Sequence, residues 1–211
     1  MDTFDLYKDI QCRTNGEIYL GVVGPVRSGK STFIKRFMDV LVLPKMTDEH
    51  AKERTVDELP QSASGKSIMT TEPKFVPKEA AEIQLAKDVS VLVRLIDCVG
   101  YMVEGAAGHM ENGAERLVKT PWNEKEIPFT KAAEIGTKKV IHDHSTIGIV
   151  VTTDGSIGEL PRNSYRAAEK KTIQELKSIG KPFVVLVNTR KPYSAEAKNV
   201  AEEIQKEYQV T

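Results

Sequence analysis

Gly24-Pro25-Val26-Arg27-Ser28-Gly29-Lys30-Ser31 decides the reading of this sequence. It satisfies G-x-x-x-x-G-K-S/T, a phosphate-loop spelling that requires a strand before it and a helix after it. Both neighbours are legible. Glu17 to Val23 is a short apolar run, and Ser31 to Leu43 places Phe33, Ile34, Phe37, Met38 and Leu41 at helical spacing before Pro44 stops the helix. At ordinary residue frequencies the bare pattern arises by accident in about 1% of chains this long, and the strand–loop–helix context lowers that further.

The ligand explains the residue types. Two glycines let the backbone turn tightly, so that successive N–H groups and the positive end of the helix surround a β-phosphate. Lys30 supplies full charge to the β- and γ-oxygens, and the Ser31 hydroxyl is a Mg²⁺ ligand. Gly24, Arg27, Ser28, Gly29, Lys30, Ser31 and Thr32 are the expected phosphate-binding residues. The alternative is a glycine turn that only caps a helix and leaves Lys30 in solvent.

Further along, Leu95-Ile96-Asp97-Cys98-Val99-Gly100 follows the apolar run Val89 to Ile96 and spells D-x-x-G. Asp97, at the strand's carboxyl end, is placed to hold Mg²⁺ through water, and the Gly100 N–H to meet a γ-phosphate. Between the two motifs lies Ile68-Met69-Thr70-Thr71-Glu72-Pro73. Either Thr70 or Thr71 would serve as the threonine that reports the γ-phosphate and closes a loop over it, unless both hydroxyls only tie a turn. The expected catalytic group is therefore Lys30, Asp97, Thr70 and Thr71, and the expected metal ligands are Ser31, Thr71 and Asp97.

The base is read further on. Guanine-selective loops spell N-K-x-D, whose carboxylate accepts two N–H bonds from guanine. Here the stretch is Val187-Asn188-Thr189-Arg190-Lys191, with Asn188 in place, Thr189 for the lysine and Lys191 for the aspartate. A cation cannot accept those bonds, and each unmet buried donor costs about 1–3 kcal/mol, so ATP is favoured over GTP. Asn188 stays a nucleotide-binding candidate. Tyr101 stands after D-x-x-G in place of a water-orienting glutamine. Water must then be positioned otherwise, with Thr70 or Thr71 as the first candidate, and slow or assembly-stimulated turnover is expected.

The rest of the chain specifies an α/β fold. Lys45 to Lys66 loses its apolar period and reads as a long mobile surface connection; Lys74 to Val76, Glu82 to Leu85 and Val89 to Ile96 read as strands. Gly100 to Pro128 reads as an insertion near the working face. Ala132 to His142, Tyr165 to Ile179 and Ala195 to Tyr208 read as helices, Thr146 to Val151 and Phe183 to Val187 as strands. This alternation predicts a mostly parallel sheet with helices on both faces, within one P-loop domain spanning 1–211. The sequence stops where another strand would begin, so a fragment of a longer protein is expected.

Composition excludes other classes. Lys plus Arg and Asp plus Glu both count 30, so no net field draws in nucleic acid or anionic lipid. Cys12 and Cys98 make neither a metal motif nor a disulfide framework, which suits a reducing cytoplasm. No run approaches the roughly 18 apolar residues of a membrane span. His142 and His144, at i and i+2, read as a solvated helix end rather than a metal pair, Trp122 as buried against its own domain, and Cys98 as core. Asp154, at the carboxyl edge of the sheet where ligands bind in open α/β folds, is kept as a site candidate.

Several stretches closely resemble one family. They are Ile18-Tyr19-Leu20-Gly21-Val22-Val23-Gly24, Asp57-Glu58-Leu59-Pro60-Gln61-Ser62, Thr70-Thr71-Glu72-Pro73-Lys74-Phe75-Val76-Pro77, Asp97-Cys98-Val99-Gly100-Tyr101 and Ala133-Glu134-Ile135-Gly136-Thr137. The chain resembles the stage IV sporulation protein A family, the coat morphogenetic ATPases of endospore-forming bacteria. The resemblance implies a translation-factor-type GTPase fold turned to ATP, with Lys30 as the loop lysine, Asp97 as the metal-linked acid, and Thr70 and Thr71 as sensor threonines. It also implies hydrolysis that drives polymerisation into a platform beneath the spore coat, in the mother-cell cytoplasm at the outer forespore membrane. The implied partners are further copies of the protein, other coat morphogenetic proteins and a small membrane-associated forespore peptide, the last reached through carboxyl-terminal regions outside this sequence. A guanine-dependent switch, a nucleotide-bound structural module without turnover, and a phosphotransferase using the 100–128 insertion are the rival readings.

Overall fold

The computed structural model describes residues 16–60, 72–86, 89–111 and 113–210. β1 (Glu17–Val23) runs into the glycine loop and α1 (Lys30–Phe37) leaves it, continuing as a π-turn over Met38–Val42 and a 3-10 turn over Leu43–Lys45. Pro44 sits in the first positions of that last turn, where a missing N–H leaves no bond unmade.

The expected long connection from Lys45 is corrected by α2 (Glu49–Glu58). Asp48 caps this helix, its carboxylate accepting the N–H groups of His50 at 2.9 Å and Ala51 at 3.1 Å. Thr55 is its one buried residue, so the sequence carries no apolar stripe to announce it. The Glu58 carboxylate also accepts the Lys78 N–H at 2.7 Å, tying the helix end to the next strand.

A second correction concerns β2 (Lys74–Ala86), which is one strand and not two. It pairs antiparallel with β3 (Val89–Asp97), and the register shifts between Val76 and Ala81. Pro77 falls in that irregular stretch of an outer strand, where a missing donor is tolerated. The insertion at 100–128 is also partly regular, holding the hairpins β4 (Met110–Glu111) with β5 (Ala114–Glu115) and β6 (Leu117–Thr120) with β7 (Asn123–Pro128). Strands this short carry too few residues for alternation to show.

α3 (Phe129–Lys139), β8 (Ile147–Thr153), α4 (Arg162–Ser178), β9 (Phe183–Asn188) and α5 (Ala195–Tyr208) follow. α3 and α4 each begin three residues before the periodicity suggested, directly after Pro128 and Pro161, and α3 ends in a π-turn over Val140–His144. His142 lies in that turn with its Nε2 2.7 Å from the Glu175 carboxylate. Trp122, in the β6–β7 turn, is half-buried with the Lys139 ammonium 5.8 Å from its ring centre.

Among the described residues the main sheet runs β2-β3-β1-β8-β9, parallel except for β2. The central strands bury both faces. Val22, Leu95, Ile149 and Val151 meet Ile34 and Met38 of the α1 side, while Val23, Ile96 and Val150 meet Phe129, Ile141, Tyr165, Ile173 and Leu176 of the α3–α4 side. Each such side chain contributes about 1.5–3 kcal/mol on burial. The fold is thus that of a P-loop nucleotidase, with the carboxyl ends of β1, β3, β8 and β9 opening along one edge, where the site is built.

Candidate active site

The loop after β1 needs its glycines. Gly24 has φ +133° and Gly29 φ +93°, and a Cβ on Gly24 would lie 2.4 Å from the Val151 carbonyl oxygen. Lys30 opens α1 and is buried, its Nζ donating to the Pro25 carbonyl at 2.7 Å. Burial pushes the Lys30 ammonium below its ordinary range, with Cys98 and Asp97 opposing the shift. An anionic ligand beside this amine favours its charged form and so works against that shift.

Asp97 closes the other side. The Ser31 hydroxyl donates to Asp97 Oδ2 at 2.6 Å, while Oδ1 is sealed from solvent without a hydrogen-bond partner among the described residues. Burial raises the carboxyl's pKa, and the Ser31 hydrogen bond works against that. The segment after β3 then folds straight onto the phosphate loop. Val26 N–H donates to the Tyr101 carbonyl at 2.8 Å and Tyr101 N–H to the Gly24 carbonyl at 3.2 Å. Gly100 lies between, so close that a Cβ would stand 2.1 Å from the Gly24 oxygen and 2.7 Å from Lys30 Nζ. The Tyr101 side chain is buried under the Lys171 ammonium, 4.6 Å from its ring centre, and serves packing.

The β9 exit braces the loop from the far side. Asn188 Nδ2 donates to the Ser28 carbonyl at 3.1 Å, and a Cβ on Gly29 would stand 2.1 Å from the same Nδ2. A groove of about 340 Å³ between α2 and β2, lined by Met46, Arg54, Thr55 and Glu79, is separate from this loop.

With this geometry in hand, comparison with known proteins decides the lineage. Residues 1–211 match the family described as "Stage IV sporulation protein A, ATPase domain". The chain belongs to that family. It is 57% identical over 206 residues to stage IV sporulation protein A of Clostridioides difficile (strain 630), covering 98% of this chain and 42% of that protein. With the Bacillus subtilis (strain 168) protein of the same name it shares 52% identity over 210 residues, covering 100% of this chain and 43% of that protein. The chain therefore spans less than half the length of these relatives. A solved SsGBP mutation variant superposes with a TM-score of 0.44 at 16% identity, over 97% of this chain and 51% of that one.

Within the chain, Gly24, Ser28, Gly29, Lys30, Ser31, Asp97, Gly100 and Asn188 converge on one loop. Arg27 and Thr32 are exposed at its rim, and an Arg27 guanidinium nitrogen donates to the Ala107 carbonyl at 3.4 Å. Thr70 and Thr71 lie outside the described residues. Ser156 and the Thr189 hydroxyl, which pin Asp154, escaped the sequence reading. For Ser156 alone the signal was there: Asp154-Gly155-Ser156 spells a turn in which a carboxylate bonds the backbone two residues on.

The described residues contain no cluster of three or more His, Cys, Asp or Glu side chains fit for a metal. Mg²⁺ needs no such cluster, because it takes one or two carboxylates with hydroxyl, water and phosphate oxygens. Ser31 with the unmatched oxygen of Asp97 is a donor set of that kind.

Proposed function

We propose that this chain is a Mg²⁺-dependent ATPase domain whose hydrolysis of ATP drives the intact protein to assemble into the basement layer of the spore coat. The reading rests above all on one observation: Lys30, the Ser31–Asp97 pair and Gly100 meet on a single glycine loop. The backbone amides of that loop hold the β-phosphate, and Lys30 offsets charge on the β- and γ-oxygens as water attacks in line. Ser31 and Asp97 would hold Mg²⁺, which supplies charge neutralisation on the same oxygens. The Gly100 N–H, on the segment latched to the loop, meets the γ-phosphate, and Thr70 or Thr71 serves as the threonine that senses it. Lys191 in place of a guanine-reading carboxylate supports ATP as the substrate.

Partners in this reading are other copies of the same protein, coat morphogenetic proteins, and a small membrane-associated forespore peptide met through regions outside this chain. The place of action is the mother-cell cytoplasm at the forespore surface. No helix among the described residues is long and apolar enough to cross a membrane. The test is phosphate release from ATP and GTP by the intact protein and by Asp97→Ala, with filament assembly followed in the same samples. ATP-dependent release and assembly, both lost in the variant, support the reading; equal assembly by the two proteins breaks the link between hydrolysis and assembly.

A further inference from the structure

The segment after β3 is held on the phosphate loop by a side chain that lies outside the site. Both backbone groups of Tyr101 bond to the loop, its N–H to the Gly24 carbonyl and its carbonyl to the Val26 N–H, as neighbouring parallel strands would. The Tyr101 ring is buried in the core on the α3–α4 side of the sheet. Lys171 of α4 sets its ammonium 4.6 Å from the ring centre, inside the roughly 6 Å reach of a cation–π contact. Among the described residues the phenol oxygen is sealed from solvent with no hydrogen-bond partner, so the hydroxyl does not orient the ring. Burial, with the charges of Glu175 and Glu134 adding to it, raises the phenol's pKa and keeps the ring neutral under the ammonium.

Lys171 is itself anchored. It donates to Glu134 Oε1 of α3 at 2.8 Å, and the Lys138 ammonium lies 3.3 Å from the same oxygen. Further along, His142 Nε2 of the π-turn that ends α3 stands 2.7 Å from Glu175 Oε1 of α4. These polar rungs stitch α3 to α4 at the surface, and the Glu134–Lys171 rung is the one set against Tyr101. The Lys171 side chain is 45% exposed, and an ion pair so open to water adds little to stability. Its place over the ring gives it another consequence. Gly100 shares a planar peptide bond with Tyr101, so a shift of Tyr101 carries Gly100 with it, while the rest of the phosphate loop and Lys30 stay where they are.

We propose that Lys171, anchored by Glu134, is a positioning residue for hydrolysis: its ammonium clamps the Tyr101 ring, keeps the 100–101 backbone on the phosphate loop and so fixes the Gly100 N–H at the γ-phosphate. The inference rests on the ATPase reading above and assigns part of its rate to a surface rung between two helices. Its signature is selective. ADP lacks the γ-phosphate, so loosening the clamp slows turnover and leaves ADP affinity as it was.

The test compares intact wild type, Lys171→Gln, Lys171→Arg, Glu134→Gln and Lys138→Gln. Three quantities are read: kcat for phosphate release from ATP with Mg²⁺, Kd for ADP, and backbone hydrogen exchange of the peptide carrying Tyr101 in nucleotide-free protein. Lys171→Gln is expected to lower kcat about fivefold or more, to leave Kd for ADP within about twofold, and to speed exchange at that peptide. Lys171→Arg keeps a cation over the ring and should restore most of the rate. Glu134→Gln loosens the anchor and should fall between Lys171→Gln and wild type, whereas Lys138→Gln, whose ammonium pairs with Glu134 away from the ring contact, should match wild type. The inference is overturned if Lys171→Gln keeps the wild-type kcat, if it loses ADP affinity in step with kcat, if exchange at Tyr101 is unchanged, if Lys171→Arg is as slow as Lys171→Gln, or if Lys138→Gln is equally slow. A wild type that releases no phosphate overturns the ATPase reading and this inference together; a wild type that hydrolyses ATP beside a Lys171→Gln variant equally fast overturns the inference alone.

Discussion

Ser31 Oγ lies 2.6 Å from Asp97 Oδ2, joining the first turn of α1 to the last residue of β3. The contact spans 66 residues of sequence, yet the sheet makes it short, because β1 and β3 are parallel neighbours with Val22 opposite Asp97. Two motifs that read separately along the chain thus become one oxygen site at adjacent strand ends.

That site carries a pH signature. Burial raises the Asp97 carboxyl above its unfolded value of about 3.9, so the native state binds its proton more tightly than the unfolded chain does. The sign follows: stability from this group is greatest at low pH and falls as pH rises from the unfolded pKa through the raised native one. Asp97→Asn removes that loss. Urea titrations of nucleotide-free protein across the acidic range check it, and a pH slope identical in wild type and variant contradicts it.

Lys30→Ala is expected to weaken nucleotide binding or turnover by about tenfold or more, since each lost charge-assisted hydrogen bond is worth roughly 1.5–3 kcal/mol. Lys30→Met separates ligand from fold. It keeps the buried stem and removes a costly buried charge, so the nucleotide-free variant melts no lower than wild type. ATP then no longer raises its Tm. Paired melting curves with and without ATP test this; a full ligand-induced rise in the variant would mean that Lys30 does not touch nucleotide.

Much of this was legible in advance because the ligand dictates the spelling. A phosphate demands glycines, lysine and serine in one order, and β1, β3 and β8 are mostly apolar because residues on both their faces enter the core. α2 was not legible: only Thr55 is buried, and the capping role of Asp48 cannot be told from any aspartate in a polar stretch. β2 hid behind Pro77, which an outer strand with a shifted register accommodates. The Asp154–Thr189 tie was invisible for another reason, since it joins two loops 35 residues apart and no local pattern reports it.

Gly100→Ala is expected to impair both fold and turnover. Its φ of +93° disfavours any side chain, and the new Cβ would press on the Gly24 carbonyl, which is backbone and cannot swing away. A cost of about 1–3 kcal/mol should lower Tm, and phosphate release should fall with it. Unchanged melting would show that the segment after β3 is not latched to the loop.

A buried ion pair behind the β8 exit supports the site. Arg162 grips Glu169 through both guanidinium NH2 groups, at 2.6 and 2.8 Å, and the Thr152 hydroxyl donates to the same carboxylate at 2.6 Å. Glu169 is 1% exposed. Glu169→Ala leaves the guanidinium without its counter-ion and should cost about 3–5 kcal/mol in denaturant unfolding. The double variant Arg162→Met with Glu169→Leu should recover much of that loss, and a double variant as unstable as the single one would contradict the explanation.

The most direct test of the central claim is a crystal structure of the intact protein with Mg²⁺ and a non-hydrolysable ATP analogue. The account predicts the triphosphate wrapped by the backbone N–H groups of Arg27 to Ser31, Lys30 Nζ turned from the Pro25 carbonyl to the phosphate oxygens, and the metal held at Ser31 and Asp97. A triphosphate bound elsewhere, or one that leaves Lys30 and Asp97 untouched, would contradict it.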